Sequence, residues 1–163
     1  MRRKLTKMKK LLLYIFCICI SPITIGQTIA TCSNPDGYAN YHYAGIWSRK
    51  ESGFIKDKIT GGMTTFQKLP DGTFDILFVD TRKKIISATQ DGGKVVLIRK
   101  GNKDATFIHL FPGKVIEIYT LWIDNDGIKK YDLLQSKGGD EMPVHKSSVL
   151  VGKCDEINLT LLD

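Results

Sequence analysis

DATFIHLFPGKVIEIYTLWIDNDGIKKYDLLQ (residues 104–135) is the stretch that decides the fold of this chain. It contains three apolar runs rich in β-branched and aromatic residues, and a turn signal follows each of the first two: Pro-Gly at 112–113 and Asp-Asn-Asp-Gly at 124–127. Short turns between such runs are typical of antiparallel hairpins. Because the middle run, 115–123, is the most continuously apolar part of the chain after residue 30, we expect it to form a central strand.

The lengths of the loops predict the register of these hairpins. With a two-residue loop at 112–113, His109 lies opposite Ile116, and a loop over 124–127 places Thr120 opposite Tyr131. Side chains alternate across a strand, so this register predicts one apolar face and one mixed face. The apolar face, which we expect to form the core, contains Val96, Ile98, Phe107, His109, Phe111, Ile116, Ile118, Thr120, Trp122, Tyr131 and Leu133.

His109 is the most informative polar residue on this predicted face. In this register Glu117, the nearest acid of the hairpin, points to the other face, which argues against a histidine–carboxylate pair. We interpret His109 as a core histidine with one hydrogen bond, to Thr120 or Tyr131, or as a polar anchor in a ligand cavity inside a small barrel.

The first 30 residues have the features of a secretory signal peptide. The segment 1–10, MRRKLTKMKK, contains six Lys/Arg and no acid, and an uninterrupted apolar run follows at 11–20. This run is far shorter than the ~20 residues that a membrane-spanning helix needs. We expect cleavage after Ala30, with Gly26 as the alternative site, and a periplasmic or secreted protein that does not span a membrane.

Loss of this leader changes the charge of the protein. The whole chain has a formal charge of +7. Six of its 24 Lys/Arg are removed with the leader, which leaves 18 Lys/Arg and 17 Asp/Glu. A nearly neutral domain has no basic surface of the kind that binds phosphates, and we predict no nucleic-acid partner.

Two of the four cysteines remain after cleavage, Cys32 and Cys154. They lie near the two ends of the exported chain, in a compartment that favours disulfides, so we expect them to pair. The chain-entropy model predicts that a cross-link of this span stabilises the folded state by at most about 4–5 kcal/mol.

Strand-like runs separated by turn signals continue along the chain from residue 45 onward, whereas 31–44 lacks periodicity and contains the turn signal Asn-Pro-Asp-Gly. Short loops make sequence neighbours antiparallel partners, and closure of the sheet removes its exposed edges. The sequence therefore predicts a single all-β domain over 31–163, a meander of 8–10 strands that closes into a small barrel, with a β-sandwich as the alternative. The predicted strands are 45–49, 53–59, 63–69, 73–80, 84–89, 94–100, 104–111, 114–123, 128–136 and 144–152.

Short catalytic motifs are absent from the sequence. It contains no G-x-G, G-x-x-x-x-G-K-[ST], H-E-x-x-H, C-x-x-C, G-x-S-x-G or S-x-x-K. We therefore predict no metal, no cofactor and no catalytic residues, and an enzyme assembled from several strands is only the third hypothesis. Gly45-Ile46-Trp47 resembles the G-x-W of lipocalin-type barrels, but three residues assign no family.

Two hypotheses about function take precedence. The first is an exported, non-enzymatic β-barrel that binds a small or apolar ligand in its interior, with His109, Thr120, Trp122 and Tyr131 as lining residues. The second is a periplasmic or secreted protein-interaction or inhibitor module that uses an aromatic segment, residues 38–43, and a glycine-rich loop, residues 136–143. Its contact residues would be Tyr38, Tyr41, His42, Tyr43, Lys137 and Asp140.

Overall fold

The computed structural model describes residues 26–79 and 83–163, so most of the predicted signal peptide lies outside the described residues. Within these ranges no helix is long and apolar enough to cross a membrane. The same ranges contain ten strands and one short 3-10 helix, Leu159–Leu162. The strands are β1 (Gln27–Tyr41), β2 (Gly53–Lys58), β3 (Met63–Lys68), β4 (Phe74–Val79), β5 (Ile85–Ser87), β6 (Lys94–Lys100), β7 (Asp104–Phe111), β8 (Val115–Ile123), β9 (Lys129–Lys137) and β10 (Lys146–Ile157).

All ten strands belong to one antiparallel sheet, which confirms the predicted all-β meander. The strand order is β5-β4-β3-β1-β10-β9-β8-β7-β6, and β2 pairs with the second half of β1. Because β3 pairs with the first half of β1, β2 and β3 act as one interrupted strand beside it. Pairing between the first strand and the last curls the sheet strongly, into a barrel-like shape instead of a sandwich.

The long strand β1 is the element that we did not predict. Its Asn-Pro-Asp-Gly sequence forms a bulge within the strand, where Asn34 has a positive φ of 47° and the register against β10 shifts. The loop between β2 and β3 provides hydrogen-bond partners for the backbone of the bulge. Asn34 N donates to Gly62 O at 3.0 Å, and Ile59 N donates to Pro35 O at 2.9 Å. The Asn-Pro-Asp-Gly sequence, which is typical of a turn, therefore forms a bulge instead. The strand beside β1 is interrupted at the same point, between β2 and β3.

The opposite error concerns 45–49, where we predicted a strand. These residues contain turns, and Ile46 N donates to Pro143 O at 3.0 Å in the loop before β10. From residue 53 to residue 137 the strands lie within two residues of their predicted ranges. The last strand is shifted, since β10 runs from Lys146 to Ile157 and therefore includes Cys154.

The predicted register of the central hairpins is wrong by one residue in each. Phe111 pairs with Val115, so the β7–β8 loop has three residues and His109 lies opposite Glu117 instead of Ile116. This error turns β8 over, and its inward-facing residues are Glu117, Tyr119 and Leu121.

A second error of the same size follows at the β8–β9 loop, where Tyr131 lies opposite Leu121 instead of Thr120. The two errors cancel for β9, so the predicted inward positions of Tyr131 and Leu133 are confirmed. On β6 the prediction is also reversed, because Val95 is buried in the core and Ile98 is exposed.

One end of the barrel is solidly packed. The ring of Phe66 lies 5.4 Å from that of Phe107 and 5.3 Å from that of Tyr119, between strands on opposite sides of the interior. The 3-10 helix closes this end with two buried leucines, and Asn158 N, just before it, donates to Ile29 O at 2.7 Å. Aromatic contacts and the terminal 3-10 helix therefore pack this end of the barrel.

The predicted disulfide is present. Cys32 in β1 and Cys154 in β10 are register partners, and their sulfurs are bonded at 2.07 Å. The bond joins residues 122 positions apart, across the ladder that connects the first strand to the last. The disulfide therefore cross-links the β1–β10 ladder, which connects the two halves of the curled sheet.

Candidate functional site

The other end of the barrel contains a cavity of about 380 Å³. It lies among β3, β4, β7, β8 and β9, and it reaches the surface near Met63, a lining residue that is 48% exposed. Cavities of this size that bind small molecules are mostly apolar, with a few placed polar groups. The apolar side chains of this wall include Ile59, Met63, Phe78, Phe111, Val115 and Leu133.

A hydrogen-bonded polar cluster forms part of the cavity wall. Glu117 Oε2 accepts hydrogen bonds from His109 Nδ1 and from Tyr119 Oη, both at 2.8 Å. Glu117 Oε1 accepts a third, at 2.6 Å, from Gln135 Nε2. The histidine–carboxylate pair that we argued against is therefore present, since the corrected register places its two residues side by side on the inner face.

The surroundings of Glu117 determine the charge of the cluster. Burial alone would raise the pKa of Glu117, but the hydrogen bonds from His109, Tyr119 and Gln135 outweigh it and hold this pKa below its usual value. Glu117 is thus a carboxylate at neutral pH, and the shared proton is on His109 Nδ1. Burial and the nearby carboxylate raise the pKa of Tyr119 well above its usual value, so its hydroxyl stays protonated and donates.

Two inward-facing rings pack over glycines that make room for them. A Cβ on Gly93 would lie 2.4 Å from His109 Nε2, and a Cβ on Gly152 would lie 2.2 Å from Tyr131 Cε1. Neither position tolerates a side chain unless the ring moves. In these positions His109 Nε2 and Tyr131 Oη are buried with no hydrogen-bond partner among residues 26–79 and 83–163.

Burial raises the pKa of Tyr131 to about 12, so this hydroxyl also remains protonated. The Thr64 hydroxyl opposes the rise in part, although its position relative to Tyr131 Oη does not satisfy hydrogen-bond geometry. Two of the four residues that we predicted to line an interior cavity, His109 and Tyr131, lie in the wall of this cavity.

Thr120 and Trp122, the other two predicted lining residues, lie on the outer face of β8. Trp122 Nε1 donates to Asp132 Oδ1 at 3.1 Å, and Lys130 Nζ lies 4.9 Å from the centre of the Trp122 ring. The Thr120 hydroxyl lies 3.3 Å from that of Thr106. Their predicted inward orientation is wrong for the same reason that Glu117 and Tyr119 were missed, namely the three-residue loop at 112–114.

The predicted aromatic contact segment occupies the end of β1 and the loop after it. Tyr38 and Tyr43 are mostly exposed, and the Arg49 guanidinium lies 5.4 Å from the centre of the Tyr43 ring. Tyr41 instead packs against Trp47, with ring centres 4.1 Å apart. This segment therefore presents two of its three tyrosines to solvent.

The glycine-rich loop lies beside this segment. His42 N donates to His145 O at 2.9 Å, which joins the loop after β1 to the loop before β10. Lys137, at the end of β9, lines the cavity, and Asp140 is exposed. The structure thus brings the two predicted contact regions together at the cavity end of the barrel.

No protein family, curated protein or solved structure matches this chain. The fold and the cavity therefore define its class on their own: a barrel-like, all-β protein cross-linked by the Cys32–Cys154 disulfide. Among the described residues, no group of three or more His, Cys, Asp or Glu side chains is arranged to hold a metal ion.

Proposed function

We propose that this protein is an exported, non-enzymatic barrel that binds a small, largely apolar ligand in the cavity at its open end. One observation carries the proposal: a cavity of about 380 Å³ with an apolar wall contains a single ordered polar cluster around Glu117. A large apolar pocket with a few convergent polar groups is the arrangement typical of small-molecule sites. The Cys32–Cys154 disulfide supports export, because such bonds persist in oxidising compartments.

Two neighbouring residues of β8 provide a matched test. Val115 faces the cavity, whereas Ile116 faces outward and is half exposed. We expect native mass spectrometry of the protein, purified gently from its own cells, to show a retained small molecule in the wild type and in Ile116→Trp. Val115→Trp places a large ring in the cavity and should lose the molecule. Equal retention in both variants, or no retained molecule in any of the three, would contradict an interior site.

A protein-interaction role is the second candidate, and a row of apolar side chains on the outer face favours it. Tyr38 pairs with Val149, Val149 with Leu134, and Leu134 with Ile118, so the four side chains lie side by side across β1, β10, β9 and β8. Three of them are about half exposed, and Phe54 nearby is almost fully exposed. Contiguous exposed apolar surface is typical of an interaction site.

The two candidates differ in the variants to which they are sensitive. An interaction role predicts that a protein copurified with the wild type is lost from Leu134→Glu and retained by Val115→Trp. If the copurified protein were lost from Val115→Trp but retained by Leu134→Glu, the outer row would be excluded as the contact surface.

A further inference from the structure

We infer that the cavity selects an amphipathic ligand whose polar end donates a hydrogen bond, an alkyl amine above all, and that it discriminates against carboxylic acids. This inference rests on the proposed ligand-binding function and adds the chemical class of the ligand. Its basis is Glu117, a buried charged group in the wall of a mostly apolar cavity.

The hydrogen bonds of Glu117 leave one acceptor position for a ligand. A carboxylate offers about four lone-pair positions. Two on Oε2 are used by His109 and Tyr119, and one on Oε1 is used by Gln135. Glu117 faces inward, lines the cavity and retains 12% of its side-chain exposure. The free position therefore accepts from a donor inside the cavity.

The other titratable groups of the wall do not cancel this charge. His109 donates through Nδ1, and its Nε2 is enclosed against Gly93 with no acceptor beside it. A second proton on Nε2 would be a buried donor with no acceptor, and burying such a donor costs free energy. Tyr119 and Tyr131 remain protonated, for the reasons given above.

Charged groups nearer the surface include both signs. Lys114 Nζ lies 3.1 Å from Glu141 Oε2, and Asp91 lines the same cavity as Lys137. The carboxylate of Glu117 is therefore the charge that a buried ligand meets. An ammonium or hydroxyl group can pair with it, whereas a second carboxylate would be repelled at short range in a weakly screened interior.

Three probes with the same alkyl chain test the inference: octylamine, octanol and octanoate, titrated into the oxidised protein at pH 7 by isothermal calorimetry. Hydrogen bonds to a charged group are stronger than neutral ones, so we expect octylamine to bind at least about tenfold more tightly than octanoate, with octanol between them. Val115→Trp should bind none of the three, which separates cavity binding from adsorption to the surface.

Glu117→Gln supplies the second measurement, and it should reduce the preference for octylamine over octanol to within about threefold. The ranking in the wild type decides the matter even if this variant does not fold. Octanoate binding as tightly as octylamine, or tighter, would overturn the inference and leave the proposed function standing. Absence of binding by all three probes would count against both.

Discussion

Burying a carboxylate costs free energy unless hydrogen bonds offset the loss of water, and at Glu117 three donors provide these hydrogen bonds. His109, Tyr119 and Gln135 lie on three adjacent strands, so the arrangement exists only when β7, β8 and β9 are paired in the observed register. The hydrogen bonds lower the pKa of Glu117 although burial opposes them. The cluster therefore stabilises one register as well as shaping the cavity.

Glu117→Gln should destabilise the protein at pH 7 by about 1–3 kcal/mol, because the amide presents N–H groups to donors that need an acceptor. The folded-state pKa of Glu117 lies below its usual value of 4.5, so its stabilising contribution is complete above that pH and is lost as the pH falls through the folded-state value. Urea unfolding of both proteins between pH 7 and pH 3 measures this. The difference between them should shrink below about pH 4.5, and a constant difference would show that ionisation of Glu117 is not involved.

At the scale of elements, β1 is the strand that holds the sheet together, since it pairs with β2, β3 and β10. Its first residues belong to the core. Ile29 and Ala30 are fully buried, and Ala30 pairs with Phe66 on one side and with Ile157 on the other. Cleavage after Ala30, the site that we preferred from the sequence, would remove this buried segment.

We therefore predict cleavage after Gly26, the alternative site, so that the processed chain begins at Gln27; N-terminal sequencing or intact mass would show this. The physical reason can be tested separately, with one chain that begins at Gln27 and one that begins at Thr31. Loss of a buried isoleucine typically costs about 2–5 kcal/mol when it is replaced by alanine, so the shorter chain should have a clearly lower Tm. Equal Tm values, together with an N-terminus at Thr31, would contradict this view of β1.

The contrast between β1 and the central strands shows what local sequence encodes. β6 to β9 were predictable because their apolar runs and turn signals agree. The strand β1 was not predictable, because its bulge at Asn34 forms only beside a neighbouring strand that is interrupted at the same position. The His109–Glu117 pair was missed because it depends on a single loop residue, Lys114, whose place in the β7–β8 turn is a matter of tertiary packing.

At the scale of the whole molecule, one strongly curled sheet surrounds a packed end and a hollow end, and the ladder between β1 and β10 lies in the middle of its strand order, with β5 and β6 at its edges. The Cys32–Cys154 disulfide crosses this ladder. The packed end provides the stability that allows the other end to remain hollow, since a cavity forgoes the contacts that a filled core would make.

Reduction of the disulfide should lower the free energy of unfolding by up to about 4–5 kcal/mol, because the unfolded chain regains the freedom that a bond between residues 122 apart removes. Urea unfolding with and without dithiothreitol measures the change. The double variant Cys32→Ala/Cys154→Ala is the control and should not respond to the reductant. An equal response in both proteins would mean that the reductant acts elsewhere.

The most direct test of an interior binding site is methyl NMR of the oxidised protein titrated with octylamine. We predict that the methyl resonances that shift belong to cavity residues, Val115, Leu133 and Met142, while those of their outward-facing neighbours, Ile116 and Leu134, stay in place. Shifts confined to Ile116, Leu134 and Val149, with the cavity methyl groups unchanged, would place binding on the outer face and contradict it.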